Sequence, residues 1–341
     1  MNSPAKNFLT RAFPVPKSLS LSNVSVSLFD GRLSFFELKR SKDKLYSKAF
    51  GTVPFPVIRP SKLDEKQKTE AVSALRSFSK IHKYFYVHIV VHEGDAYVFR
   101  LAVPTTNPDE LHSAIESVLE ENVPIPPAEA IFEYDIISHD SMRNETVVAV
   151  SVVSEKIIES YVDLLSLGGL LPVSFETEAR ALSRSLFPME SSDIAIILAI
   201  NQHHSVISIV EKRRAIFSSS IEVGAHDINQ AVEKTMKKET DTIFDASLPV
   251  FSVIHDELAK VLVFWKTQEK KIKDFKNISR IILTGSDSLA PSFARYISLS
   301  FSMPVEVGSV WTNIVSPEEC LPDLSRRDSL DYGALIGALL K

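Results

Sequence analysis

Two runs of alternating apolar and polar residues come early in the chain, Val24-Ser-Val-Ser-Leu-Phe29 and Leu33-Ser-Phe-Phe-Glu-Leu38. A period of two sends successive side chains to opposite faces, so both runs predict strands. Asp30-Gly31 between them is a strong hairpin signal, because that pair accepts the positive φ angles of a tight turn. A third strand is predicted around Leu45 to Val53. The period then changes: within Leu63 to Lys80, Ala71, Leu75 and Phe78 share one helical face. Strand patterns return at Tyr84 to His92 and Tyr97 to Val103, joined by Glu93-Gly94-Asp95. Asn107-Pro108-Asp109-Glu110 reads as a helix start, with Asn107 as N-cap and Pro108 at the first helical position. That helix is predicted to run to about Asn122 and to stop at Pro124-Ile125-Pro126-Pro127. Strands Ile131 to Ile137 and Val147 to Val153 follow. Next comes a helix capped by Ser154, with Ile157, Ile158, Tyr161, Leu164 and Leu165 on its apolar face and Gly168-Gly169 at its end. A short strand at Pro172 to Phe175 leads into a helix at Glu178 to Phe187.

The polar stretch Ser191-Ser192-Asp193 is the best candidate for a domain boundary. Beyond it, three close strands are predicted, Ile194 to Ile200, Val206 to Glu211 and Ala215 to Ser220. A helix at Asp227 to Lys238, a polar stretch to Ser247 and a long helix at Val250 to Ile272 follow. The pattern ends with strand Arg280 to Leu283, a turn at Thr284 to Ser288, a helix at Pro291 to Phe301, a short strand at Val305 to Val307 and an apolar helix at Tyr332 to Leu340. Each half opens with consecutive antiparallel strands and continues with alternating helices and strands. That is α/β organisation with an internal duplication. The expected domains are an arm at 1–20, a first domain at 21–190 interrupted by a small α+β subdomain at about 97–167, and a second domain at 191–341. The C-terminal helix is expected to pack back on the first domain.

Composition narrows the function classes. With 24% charged and 45% hydrophobic residues, the 341-residue chain has material for a packed core. A net charge of −5 argues against a nucleic-acid protein, which would show a basic domain. A single cysteine, Cys320, excludes an intramolecular disulfide framework and a multi-cysteine metal site. The longest apolar run, Ile194 to Ile200, is far below the roughly 20 residues of a membrane span. The N-terminal stretch, with Lys6, Arg11, Lys17, Pro14 and Pro16, lacks the apolar core of a signal peptide. The 10 glycines leave little material for phosphate-cradling loops, which need close backbone approach and positive φ.

The stretch Pro104 to Leu186 resembles the PilM family of cytoplasmic type IV pilus assembly proteins, which are actin-like and related to FtsA. The resemblance rests on Asp109-Glu110-Leu111, Ile115-Glu116, Val123-Pro124-Ile125-Pro126, Tyr134-Asp135, Val147 to Val150, Tyr161 to Leu165, Gly169-Leu170 with Pro172, and Glu176 before Ala181-Leu182. Leu283-Thr284-Gly285-Ser286 resembles the adenosine-side turn, and Tyr332-Gly333-Ala334 with Gly337-Ala338-Leu339 resembles the C-terminal helix. The resemblance implies an actin-like (ribonuclease H-like) duplicated fold with an inserted small α+β subdomain. A type II secretion relative of similar fold normally continues into a transmembrane helix. The end of this chain at Lys341 favours the pilus protein.

The resemblance also locates a degenerate nucleotide site at Gly31, Ser205, Gly224, Thr284, Gly285 and Ser286. The first phosphate loop is shortened to Leu28-Phe29-Asp30-Gly31-Arg32-Leu33, so Asp30 is expected in the turn itself, and the pair also reads as a plain hairpin turn. In the second loop Ala199 and Asn201 stand at the family's Asp and Gly positions, with Ser205 in the Thr place. That removes a metal-organising carboxylate and closes the backbone approach to phosphate. His203-His204 reads as a polar turn and His88 with His92 as a pair lacking a third ligand, so no metal site is expected. No Gly-x-Ser-x-Gly elbow occurs. The expectation is no catalytic residue, hydrolysis lost, and ATP/Mg absent or weakly bound. An active actin-like ATPase with divergent loops is the alternative. The implied partner is the N-terminal cytoplasmic peptide of a PilN-like bitopic protein, held between the first-domain sheet and the insertion, beside other pilus assembly components. No nucleic acid is expected. The implied location is cytoplasmic, peripheral to the inner membrane through partners.

Overall fold

The computed structural model describes residues 23–41, 44–236, 243–270, 275–285, 291–314 and 324–340. Strands β1 (Val24–Ser27) and β2 (Arg32–Ser41) pair antiparallel around Asp30-Gly31, whose φ angles are +62° and +71°. β3 (Lys44–Pro54) extends the meander. Helix α1 (Glu65–His82) starts in a capping box, Asp64 with Gln67, and buries Ala71, Leu75 and Phe78. β4 (Tyr86–Val91) then returns parallel to β1. The insertion follows: β5 (Ala96–Val103), α2 (Pro108–Glu116), β6 (Ala130–Asp140) and β7 (Glu145–Ser154). Its three strands form a separate antiparallel sheet, order β5-β7-β6, with a small core around Leu111, Ile115, Val148 and Val150. Helix α3 (Glu155–Leu167) and strand β8 (Leu171–Thr177) return to the first sheet, whose order is β3-β2-β1-β4-β8.

Helix α4 (Glu178–Leu186) crosses to the second half. There β9 (Ile194–Ile200), β10 (Ser205–Glu211) and β11 (Arg214–Ile221) make an antiparallel meander. Helices α5 (Ala225–Met236) and α6 (Ile243–Thr267) follow. β12 (Ile281–Gly285) adds parallel to β9 and, after α7 (Pro291–Phe301), β13 (Val305–Val307) adds parallel to β12. The order β11-β10-β9-β12-β13 repeats that of the first sheet, so the duplication is present strand by strand. Helices α1 and α3 contribute to the core on one face of the first sheet, and α6 and α7 to the core on one face of the second. The remaining faces share one core with α4 and the C-terminal helix α8 (Gly333–Ala338). A Cβ at Gly337 would lie 1.8 Å from the carbonyl oxygen of Ala181, so only glycine lets α8 approach α4 so closely.

Four local expectations change. Helix α3 belongs to the first sheet and not to the insertion, because Tyr161, Leu164 and Leu165 are buried against Leu75 and Val87. Helix α2 ends at Glu116, and a separate 3-10 turn covers Leu119–Glu121. Helix α6 starts at Ile243 and carries Pro249 inside; polar Asp245 and Ser247 made its first turns read as loop. Thr284 and Gly285 are the last residues of β12, paired with Ala199 and Ile200, and not a turn. The expected arm at 1–20, Ser286 and Cys320 lie outside the described residues. No helix among the described residues is long and apolar enough to cross a membrane.

Candidate functional site

The β1–β2 turn meets the β9–β10 turn at the cleft between the halves. Oδ2 of Asp30 accepts the backbone N–H of Gln202 at 3.2 Å, and Oδ1 accepts that of His203 at 3.1 Å. The same Oδ1 lies 3.0 Å from Nδ1 of His204, whose Nε2 lies 3.0 Å from Oε2 of Glu178. Asp30, His204 and Glu178 are all buried. Burial alone would push the His204 imidazole down. The Glu178 and Asp30 carboxylates override it and raise the ring to about 10. Burial likewise opposes the charge on Asp30, yet the adjacent imidazolium, with Arg32 and the His203 N–H, holds its carboxyl below the ordinary range. The result is an imidazolium clamped between two carboxylates. His92, 4.1 Å from His204 between ring centroids, is driven far below its usual value by burial and by the His204 charge, so it stays neutral. Burial pushes Glu93 up to about 7, and its Oε2 accepts the Ala179 N–H at 2.8 Å. At the rim, Arg59 bridges Asp95 at 2.6 Å and Glu222 at 2.9 Å, tying the two halves together. Arg32 pairs with Asp331 at 3.0 Å.

Among the described residues of the expected nucleotide site, Gly31, Ser205, Gly224 and Thr284 bond within the protein. Gly31 N–H donates to the Val57 carbonyl at 2.9 Å. Ser205 Oγ donates to the Val223 carbonyl at 2.7 Å. Gly224 N–H donates to Asp227 at 2.9 Å, and a Cβ there would lie 2.5 Å from the Gln202 carbonyl oxygen. Thr284 Oγ1 lies 3.5 Å from the Leu330 carbonyl. Gly285 has φ +100°, and a Cβ on it would meet the Ile200 carbonyl oxygen at 2.3 Å, so this glycine serves strand packing. Thr284 and Gly285 do line a cleft cavity with Ala199 and Asn201, but it measures about 20 Å³, room for about one water. Gly31, Ser205 and Gly224 do not line it.

The second-loop N–H groups that would face phosphate already donate to Asp30. Two sequence expectations are therefore corrected. Asp30-Gly31 is more than a plain hairpin turn, since its carboxylate caps the opposite loop. His203-His204 is more than a polar turn, since His204 is a fully buried ion-pair partner. Sequence reasoning missed Glu178 and Glu93. Their only signal was a helix start and a turn, because Asp30, Glu178 and His204 lie far apart along the chain.

A second candidate surface is a groove of about 250 Å³ between β8 and β6. β8 is an edge of the first sheet and β6 an edge of the insertion sheet. Val91, Ile131, Val153, Ile158, Val173 and Phe175 line it, with Ile131 and Val173 exposed. Arg180 closes one end, paired with Glu133 and Asp135, each at 2.9 Å. Sheet edges present backbone donors and acceptors to an added strand.

No family model and no curated protein matches the chain. Among solved structures, one described as the PilM–PilN type IV pilus biogenesis complex aligns over 93% of this chain and 97% of its own, with a TM-score of 0.74 and 16% identity. MreB 5 of Spiroplasma citri bound to AMPPNP aligns over 94% of this chain and 95% of its own, with a TM-score of 0.52 and 10% identity. The likeness is one of fold: the chain has the actin-like, duplicated α/β architecture with an inserted subdomain.

Proposed function

We propose that the chain is a PilM-like scaffold of a type IV pilus assembly complex and that it does not hydrolyse ATP. It would hold the cytoplasmic N-terminal segment of a PilN-like bitopic membrane protein and sit at the inner membrane through that partner. The observation that carries this reading is the β8–β6 groove: two strand edges face each other across an apolar floor, a setting for an extended peptide bound by main-chain hydrogen bonds and alternate side-chain pockets. The likeness to the PilM–PilN structure supports it. The loss of ATP chemistry is supported by the Asp30 carboxylate standing where phosphate would be cradled.

The test is a titration of the protein with a synthetic peptide of the cytoplasmic N-terminal segment of a PilN-like bitopic protein. Binding is expected, weakened at least about tenfold by Val173→Asp or Ile131→Asp, since each places a charge against the apolar floor. Unchanged affinity in both variants overturns the groove assignment. For the nucleotide, a thermal-shift series with Mg-ATP is expected to show no stabilisation. A bound ligand at 100 times its Kd would add about 2.7 kcal/mol, so a clear positive shift overturns that part.

A further inference from the structure

A polar concavity of about 570 Å³ lies outside both the cleft and the main part of the groove. Arg180 and Arg184, one helical turn apart on α4, form one wall, while Glu178 projects from the opposite side of that helix into the cleft. The β10–β11 turn forms the other wall with Lys212, Arg213 and Arg214. The acidic residues lining the space are already engaged: Glu133 and Asp135 by Arg180, and Glu176 by both Arg180 and Arg184.

That leaves Lys212, Arg213 and Arg214 with no carboxylate partner among the described residues, although all three are half-buried. Their donors reach only backbone carbonyls: Lys212 that of Ile137, Arg213 that of Arg184, and Arg214 that of Lys212. Nη1 of Arg184 is buried and has no acceptor. Arg213 is pushed down by burial and then by the charges of Arg184 and Arg214. The backbone adds a second, independent oddity. Lys212 and Arg213 form a two-residue hairpin turn with φ +50° and +64°, a geometry that favours Asn-Gly. The chain thus places two long cations on strained backbone, facing two further guanidinium groups. Each departure weakens the free protein, and an anion in the concavity would compensate the charge crowding.

We propose that this concavity binds a small phosphate-bearing molecule through Arg184, Lys212, Arg213 and Arg214. More than one uncompensated cation faces the space, so a dianionic group is matched better than a single carboxylate. Guanidinium forks suit phosphate oxygens, and the volume is that of a small-molecule site.

The test uses the full chain and inorganic pyrophosphate, titrated calorimetrically without magnesium at fixed ionic strength, with citrate as the carboxylate control. Pyrophosphate is expected to bind, and citrate to bind at least about tenfold more weakly. The double variant Lys212→Asn with Arg213→Gly supplies the favoured turn, so it should melt higher than the wild type while losing at least about tenfold in pyrophosphate affinity. Arg214→Gln, which leaves the turn intact, should weaken binding as well. Glu222→Ala, at the exposed end of the Arg59 bridge and away from this turn, should leave binding unchanged. Equal affinity for citrate, full binding by the double variant, or loss of binding in Glu222→Ala would each overturn the assignment.

Discussion

Replacing Asp30 by Asn isolates the charge that joins the two halves. Asn tolerates the left-handed backbone at this position, where φ is +62°, so the change adds little strain. It removes the carboxylate that accepts two half-buried N–H groups and one buried imidazolium N–H. Breaking one partner of a buried ion pair costs about 3–5 kcal/mol, because the other charge stays buried. An N–H turned toward an amide NH₂ in place of an oxygen costs about 1–3 kcal/mol more at most, and the two effects share one network, so they do not add fully. A loss of about 3–5 kcal/mol in urea unfolding at pH 7 is expected. The pH profile is the sharper readout. His204 titrates near 10 in the folded chain against 6.5 in the unfolded one. Its stabilising contribution is therefore complete below pH 6.5, declines as pH rises, and is gone above about 10. At about 1.4 kcal/mol for each pH unit, the whole limb amounts to roughly 5 kcal/mol. Glu93, raised to about 7, loses its own contribution between pH 4.5 and 7, so the His204 limb is best read from pH 7 to 9.5. In Asp30→Asn the midpoint of that alkaline loss should move to lower pH. A variant that loses less than about 1 kcal/mol and keeps the wild-type profile would refute the account of Asp30 as the closure of the cleft.

Three further outcomes are expected. Gly337→Ala forces a Cβ into the Ala181 backbone carbonyl at 1.8 Å and should cost about 3 kcal/mol or abolish folding, read by thermal melting. Arg59→Ala leaves Asp95 buried without its guanidinium and should cost about 3 kcal/mol by urea unfolding; Glu222→Ala, at the exposed end of the same bridge, should cost under about 1 kcal/mol. Gly168→Ala brings a Cβ to 2.4 Å from Leu75 Cβ and should lower the melting temperature by separating α3 from α1, with no effect on pyrophosphate affinity.

Much of the architecture was legible in the order of residues. Alternating runs mark β1 and β2, while the continuous apolar run Ile194–Ile200 marks β9, a strand buried along its whole length. Asp64, Asn107 and Asp30-Gly31 mark helix starts and a turn by local hydrogen bonding and φ preference. The missed boundaries were polar helical turns, as at the start of α6, and a helix whose partner sheet lay elsewhere, as with α3. The candidate site was legible only as a deficit. Ala199 and Asn201 showed what the second loop lacks, but nothing in the spacing showed what replaces it.

Local physics is encoded locally, so the elements and the duplication could be read from residue order alone. Contacts between distant residues are not. The meeting of Asp30, Glu178 and His204, and the charge on His204, come from packing, because that charge depends on two carboxylates the fold brings in. The fold likewise makes β8 and β6 edges, since strand order and not strand sequence leaves a backbone open to a partner. Lys212 and Arg213 show both levels at once. The sequence places two cations side by side, and the fold makes them a strained hairpin turn beside two arginines of helix α4.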